Sequence, residues 1–271
     1  MSEILTEQRD NILIVTLNRP AKRNAFSPEM IVRLAELWQA VAADDTIRVV
    51  VVTGAGRQAF SSGGDLGSLI PLMMRTKSPV GEWEERFAAD RKQMGAALLR
   101  NASFFKPVIA AINGHALAGG AEFVMGMDLR VMARDALFGI TEVRLGLIAS
   151  MGSLVRTARQ VPWAQAMELL LLGEPITADR ALAMGLVNRV VDPDQVLPTA
   201  IDLAERVAKG APVALEKTKE VMVRSNGRPL EEAFLIETQC TKENAATDDA
   251  KEGARAFMEK RAPVFRGRAS K

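Results

Sequence analysis

Val108-Ile109-Ala110-Ala111-Ile112-Asn113-Gly114-His115-Ala116-Leu117-Ala118-Gly119-Gly120-Ala121-Glu122-Phe123 reads as a strand, a glycine-rich turn and a helix in direct succession. Val108 to Ile112 is a short, continuous apolar run, the pattern of a strand covered on both faces. The helix is expected to begin near Gly119 and to turn Phe123, Val124 and Met127 inward. Unpaired N–H groups at a helix start form a partly positive site, suited to a developing anion. Glu122 lies one turn further in, on the same side. A carboxylate inside an apolar helix is costly unless it is used or paired. A salt bridge to Arg130 or Arg144 is the pairing that would make it purely structural.

Outward from this stretch the same alternation continues. Ile12 to Leu17, 48–53, 131–133 and 186–191 are further short apolar runs rich in β-branched residues. Ser27 followed by Pro28 signals a helix start, and Ile31, Leu34, Leu37, Trp38 and Val41 then recur at helical spacing. Buried strands separated by helices make the fold class α/β. From about residue 195 the strands stop, and 195–209, 213–224, 230–244 and 248–260 all read helical. The division expected is a strand-containing core over 1–194 and a helical region over 195–271. No repeat of fixed period and no low-complexity tract interrupts it.

Two more glycine-containing stretches precede the first. Gly54-Ala55-Gly56-Arg57-Gln58-Ala59 fits a dinucleotide fingerprint in letters only, because no helix can open at its second glycine; it reads as a turn. Ala59-Phe60-Ser61-Ser62-Gly63-Gly64-Asp65-Leu66 holds adjacent glycines that let backbone N–H groups approach a ligand, and Asp65 is placed to cap a helix running through Leu69 and Leu72. Downstream, Phe138-Gly139-Ile140-Thr141-Glu142-Val143-Arg144 again sets an acid among apolar residues. Two such carboxyls can divide acid and base roles if their surroundings separate their pKa values.

Composition narrows the chemistry. Among 271 residues there are one Cys, one His and no Tyr. That excludes an internal disulfide and multi-cysteine metal sites, and leaves a hydrolase triad a single imidazole. His115 reads as structural, Cys240 as a buried inert thiol, and Trp163 as a packing residue at a helix start. Lys and Arg number 35 against 33 acids, a net charge of +2. The excess is local: Lys251, Arg255, Lys260, Arg261, Arg266, Arg268 and Lys271 face only Glu252 and Glu259 in the last stretch. A nucleic-acid binder would need a basic domain, which is missing. The first residues lack a secretory pattern, and the most apolar stretch is broken by Asn113, His115, Glu122 and Asp128. A cytoplasmic protein is expected.

Taken together, these blocks resemble the crotonase superfamily, most closely its enoyl-CoA hydratases. The resemblance rests on NRPAKRNAF, AFSSGGDL, AAINGHALAGGAEF, FGITEVRLGL, AMGLVNRVV and the closing EGARAFMEKRAPVFRG, in that order. It implies a spiral of ββα units with a C-terminal helical trimerisation region, assembled as a trimer or a dimer of trimers. Carried over by position, the oxyanion-hole donors fall on the N–H groups of Gly64 and Gly119, and the two hydratase glutamates on Glu122 and Glu142. Ala25, Ser62, Asp65 and Leu66 fall on the part that holds CoA, with Phe257 and Lys260 near the carboxyl end. The implied reaction is syn addition of water to a 2-enoyl-CoA, with Glu122 as base and Glu142, kept neutral by desolvation, as acid. No metal or other cofactor is called for, and neither nucleic acid nor membrane is an expected partner.

Two departures from the family pattern stand out. Gly67 occupies a place where a basic residue is common, and Ala149-Ser150-Met151-Gly152-Ser153 replaces a proline- and glycine-rich turn. Within 68–104, Met73, Met74, Trp83, Phe87 and Met94 read first as core and second as lining of an acyl pocket. The rival functions are a double-bond isomerase or a specialised dehydratase on the same CoA cradle. A non-catalytic CoA- or RNA-binding member is the remaining rival, but it would not need both acids.

Overall fold

Strands of the first part of the chain, most of them apolar, pair into two sheets in the computed structural model, which describes residues 2–100 and 103–267. The chain begins with β1 (Ile4–Arg9), β2 (Ile12–Leu17), α1 (Pro28–Ala43), β3 (Val49–Gly54) and β4 (Ala59–Ser61). Three short helices follow, α2 (Leu69–Met73), α3 (Glu82–Ala89) and α4 (Gln93–Ala97). The decisive stretch then forms β5 (Val108–Ile112), β6 (His115–Leu117) and α5 (Gly119–Met125), with β7 (Leu129–Ala133) and β8 (Leu137–Gly139) after it. Next come α6 (Ser153–Gln160), α7 (Trp163–Leu172), β9 (Ile176–Thr177), α8 (Ala178–Ala183) and β10 (Arg189–Val191). The chain closes with α9 (Val196–Ala208), α10 (Pro212–Ser225), α11 (Leu230–Ala245) and α12 (Asp248–Met258).

One sheet runs β1-β2-β3-β5-β7-β10, parallel except for the β1–β2 hairpin, and the other runs β4-β6-β8-β9. Each turn of the chain gives one strand to the larger sheet and the next to the smaller: β3 then β4, β5 then β6, β7 then β8. Every residue of β3 and β5 is buried, which explains their unbroken apolar sequences. Helix α1 buries Met30, Ile31, Leu34, Trp38 and Val41 in the core and packs against α3 and α4, and Ser27 caps it by accepting from Met30 N–H at 3.1 Å. The expected α/β class is the one observed, and residues 54–59 form the turn between β3 and β4.

Some boundaries differ. The expected strand 48–53 sits one residue later. The run 186–191 keeps only its second half as a strand, because Leu186 and Asn188 are engaged by the buried Arg130. The Arg130 Nη1 donates to the Leu186 carbonyl at 2.9 Å, and its backbone N–H to the Asn188 side chain at 2.7 Å. Trp163 does not pack as expected: α7 buries Ala166 and Leu169 and leaves Trp163 68% exposed. Cys240 is buried on α11, and burial pushes its thiol pKa up.

Beyond the sheets, α9 packs against β3, β5 and β7, whereas α10 pairs with α11 and α12 packs on α11. Of the basic residues near the carboxyl end, Arg255 and Arg261 pair with Glu252 and Lys251 with Asp248. Arg268 and Lys271 lie outside the described residues. Among the described residues no helix is long and apolar enough to cross a membrane.

Candidate active site

The smaller sheet places the predicted residues. Strands β4, β6 and β8 run parallel and adjacent, so their carboxyl ends open side by side. Gly64 follows the end of β4, Gly119 the end of β6 and Glu142 the end of β8. Ligands of parallel sheets sit outside such strand ends, where loops and helix N-termini converge.

The loop after β4 and the start of α5 touch so closely that glycine is required. A Cβ on Gly120 would stand 2.3 Å from the Ser61 carbonyl oxygen, and one on Gly63 2.9 Å from the Gly119 nitrogen. Gly63 also has φ +93°, a conformation L side chains rarely adopt. Gly64 and Gly119 are themselves near neighbours, since a Cβ on Gly119 would lie 3.6 Å from the Gly64 nitrogen. Ala118, at φ 49° and ψ −128°, is strained for a residue with a side chain, and its ψ sets the direction of the Gly119 N–H. Among the described residues neither the Gly64 nor the Gly119 N–H meets an acceptor. Gly119 opens α5, so its N–H is one of the donors a helix leaves unpaired.

Glu122 is 3% exposed and does not pair with either arginine considered from the sequence. Its Oε1 accepts from the Met151 N–H at 2.8 Å, the Ser153 Oγ at 2.8 Å and the Ser153 N–H at 3.4 Å. Arg130 instead donates to backbone carbonyls and Gln160, and Arg144 pairs with Glu174. The segment that departs from the family pattern is thus the one that grips Glu122. Ser153 was missed by sequence reasoning because nothing local marks a bond to a residue so far back in the chain.

Glu142 sits beside Glu122. Burial, the charge of Glu122 and hydrogen bonding to it raise the Glu142 pKa to about 7. Its Oε2 is buried with no hydrogen-bond partner among the described residues, an exposed demand on whatever enters the site. One carboxyl is therefore held by three donors while its neighbour is pushed toward the neutral form. Such a pair can accept a proton at one oxygen and deliver one from another.

The residues expected to hold CoA are partly joined. Loops 23–26 and 62–65 zip together through Ser62 N–H to Arg23 O at 3.0 Å, Phe26 N–H to Gly63 O at 2.8 Å and Asp65 N–H to Phe26 O at 2.9 Å. Arg19, not singled out from the sequence, ties them by donating to Ala25 O at 2.6 Å and pairing with Asp65 at 3.0 Å. The Asp65 carboxylate also accepts from Gly67 and Ser68 N–H, and its carbonyl from Leu69 and Ile70 N–H, so it organises the entry to α2. Leu66 projects into solvent, 67% exposed. Phe257, 87% exposed, and Lys260 lie at the end of α12, and no hydrogen bond or ion pair among the described residues links them to the 62–66 loop.

Met73, Phe87 and Met94 line a cavity of about 490 Å³ together with Met151, the residue whose N–H holds Glu122. Met74 is exposed, and Trp83 lies outside the cavity, with the guanidinium groups of Arg33 and Arg86 at 4.5 and 4.8 Å from its ring centroid. His115 is structural: its Nδ1 accepts the Leu137 N–H at 3.0 Å across β6 and β8. A second cavity, about 620 Å³ and lined by Asp128, Arg130, Arg156 and Lys219, includes none of the predicted site residues. Among the described residues no three His, Cys, Asp or Glu side chains gather as a metal site.

A family model described as enoyl-CoA hydratase/isomerase matches residues 7–268. The chain is 41% identical to an enoyl-CoA hydratase of Mycobacterium tuberculosis, covering 98% of this chain and 97% of that protein. It is 39% identical to the (E)-benzylidenesuccinyl-CoA hydratase of Thauera aromatica, over 97% and 99% of the two chains. A crystal structure of enoyl-CoA hydratase from Mycobacterium tuberculosis H37Rv superposes with a TM-score of 0.86 at 37% identity, covering 98% of this chain and all of that one.

Proposed function

Because the chain belongs to the enoyl-CoA hydratase/isomerase family and is an enoyl-CoA hydratase of crotonase fold, we propose that it adds water with Glu122 and Glu142 over an oxyanion hole formed by Gly64 and Gly119. Glu122 takes a proton from water, and the resulting hydroxide oxygen bonds to C3 of the 2-enoyl thioester. The electron pair of the C2=C3 bond shifts toward the thioester oxygen, where the two N–H groups stabilise the charge. Glu142 then gives its proton to C2 from the same face, so addition is syn and the product is a 3-hydroxyacyl-CoA. Each preorganised donor of this kind contributes about 3–4 kcal/mol to the transition state.

The observation that carries the reading is the unequal pair: Glu122 held by Met151 and Ser153, Glu142 raised to about 7 with a buried, unpartnered oxygen. In the same proposal Ala25, Ser62, Asp65 and Leu66 form the CoA-binding loop, Asp65 by shaping it, and Phe257 and Lys260 add contacts at its CoA end. Residues 195–271 serve self-association as a trimer or a dimer of trimers. Support comes from Met222, Leu230, Phe234, Leu235, Phe257 and Met258, large apolar side chains that the last three helices leave exposed. The enzyme works in the cytoplasm on acyl-CoA alone, with no cofactor, nucleic acid or membrane as partner.

Crotonyl-CoA provides the test. Purified protein is expected to remove the absorbance of the conjugated thioester and to form 3-hydroxybutyryl-CoA. Migration of the double bond without gain of oxygen would contradict the reading.

A further inference from the structure

The cavity beside Met151 has apolar walls but a basic rim. Arg91, Lys92 and Arg100 line it with Met73, Phe87 and Met94, and no acid does so among the described residues. Of the cations nearby, Arg86 pairs with Glu36 and Glu82, Arg33 with Glu29 and Lys77 with Glu84, whereas the Arg75 side chain makes no hydrogen bond or ion pair among the described residues. The rim trio has no carboxylate partner. Arg91 is fixed in place by neutral carbonyls, donating to Leu72 O at 3.0 Å and Met73 O at 3.3 Å. The side chains of Lys92 and Arg100 make no hydrogen bond or ion pair among the described residues. Asp90, the nearest acid in sequence, turns its carboxylate back onto the Lys92 N–H at 3.0 Å.

None of Gly64, Gly119, Glu122 and Glu142 lines the cavity, and its link to them is the backbone at 151–152. Met151 lines the cavity and holds Glu122, and the Arg100 Cγ would lie 3.6 Å from a Cβ on Gly152, the residue between Met151 and Ser153. Resting on the hydratase reading, in which the acyl chain leaves the two glutamates along Met151, we propose that the cavity receives an acyl chain ending in a second carboxylate. The methylenes lie against Met73, Phe87 and Met94, and the terminal anion meets Arg91, Lys92 and Arg100. All three cations are exposed to solvent, so each pairing contributes modestly, and it is the three together that select an acidic chain end over a methyl group.

The experiment compares kcat/KM of the full-length enzyme on hex-2-enoyl-CoA and on a six-carbon 2-enoyl-CoA that ends in a free carboxylate. The acidic substrate is expected to be preferred by about 10- to 100-fold, mostly through KM. In Arg100→Gln, which breaks no side-chain hydrogen bond among the described residues, the ratio should fall sharply, and with Arg91→Gln added it should fall further, Lys92 alone remaining. Arg100→Lys should keep most of the preference. A ratio near or below one in the wild type overturns the inference. So does a ratio that survives both substitutions, or equal losses on both substrates, which would place the cations on the CoA end or in folding. Activity on hex-2-enoyl-CoA without preference removes this inference alone, whereas inactivity on both substrates removes the hydratase reading with it.

Discussion

Glu122→Gln is expected to lower hydration of crotonyl-CoA by a factor on the order of 10²–10⁴, the usual contribution of a positioned general base. The substitution keeps the shape of the side chain and an oxygen to accept from Met151 and Ser153, so the grip seen at 2.8 Å can persist. What is lost is the capacity to take water's proton. In the proposed site CoA is held by other residues, so kcat should fall far more than KM changes. Unaltered circular dichroism would show that the loss is chemical. Full activity in this variant would contradict the assignment of the base.

Glu142→Gln is expected to produce a loss of similar size and to change the pH profile. The reaction needs the pair to hold one proton, in both directions, because hydration and dehydration interchange which carboxyl carries it. With the Glu142 pKa raised to about 7, the wild type should lose activity as pH rises beyond that value and the pair gives up its last proton. In the glutamine variant the residual rate should no longer follow that limb. Stability supplies an independent check. The folded state holds the Glu142 proton more tightly than the unfolded chain does, so this carboxyl makes the protein less stable as pH rises from its ordinary range to about 7. A neutral glutamine removes that slope, and thermal melts of the two proteins across this window should diverge with increasing pH. Identical slopes, or an unchanged activity limb, would place the titration elsewhere.

The sequence made some of this legible and left some hidden, for physical reasons. Strands such as Val49–Gly54 and Val108–Ile112 are buried on every residue, so their composition announces them. Gly63-Gly64, Gly119-Gly120, Glu122 and Glu142 were legible because glycine pairs and buried acids are expensive choices that little but close approach or chemistry explains. The hidden parts depend on distant partners. Ser153 reaches back to Glu122, Arg19 bridges Ala25 and Asp65, and Leu186 and Asn188 yield strand geometry to Arg130. None of these bonds leaves a local signature. Trp163 misled for a related reason: α7 has apolar residues on more than one side, and it is Ala166 and Leu169, with Leu170 partly buried beside them, that turn inward.

The most direct measurement is a crystal structure of the wild type with a 3-hydroxyacyl-CoA bound. The account predicts a thioester oxygen about 2.7–3.1 Å from both the Gly64 and Gly119 nitrogens, with the C3 hydroxyl facing the two glutamates. A thioester seated in the cavity around Arg130, with both glycine N–H groups left unengaged, would contradict it.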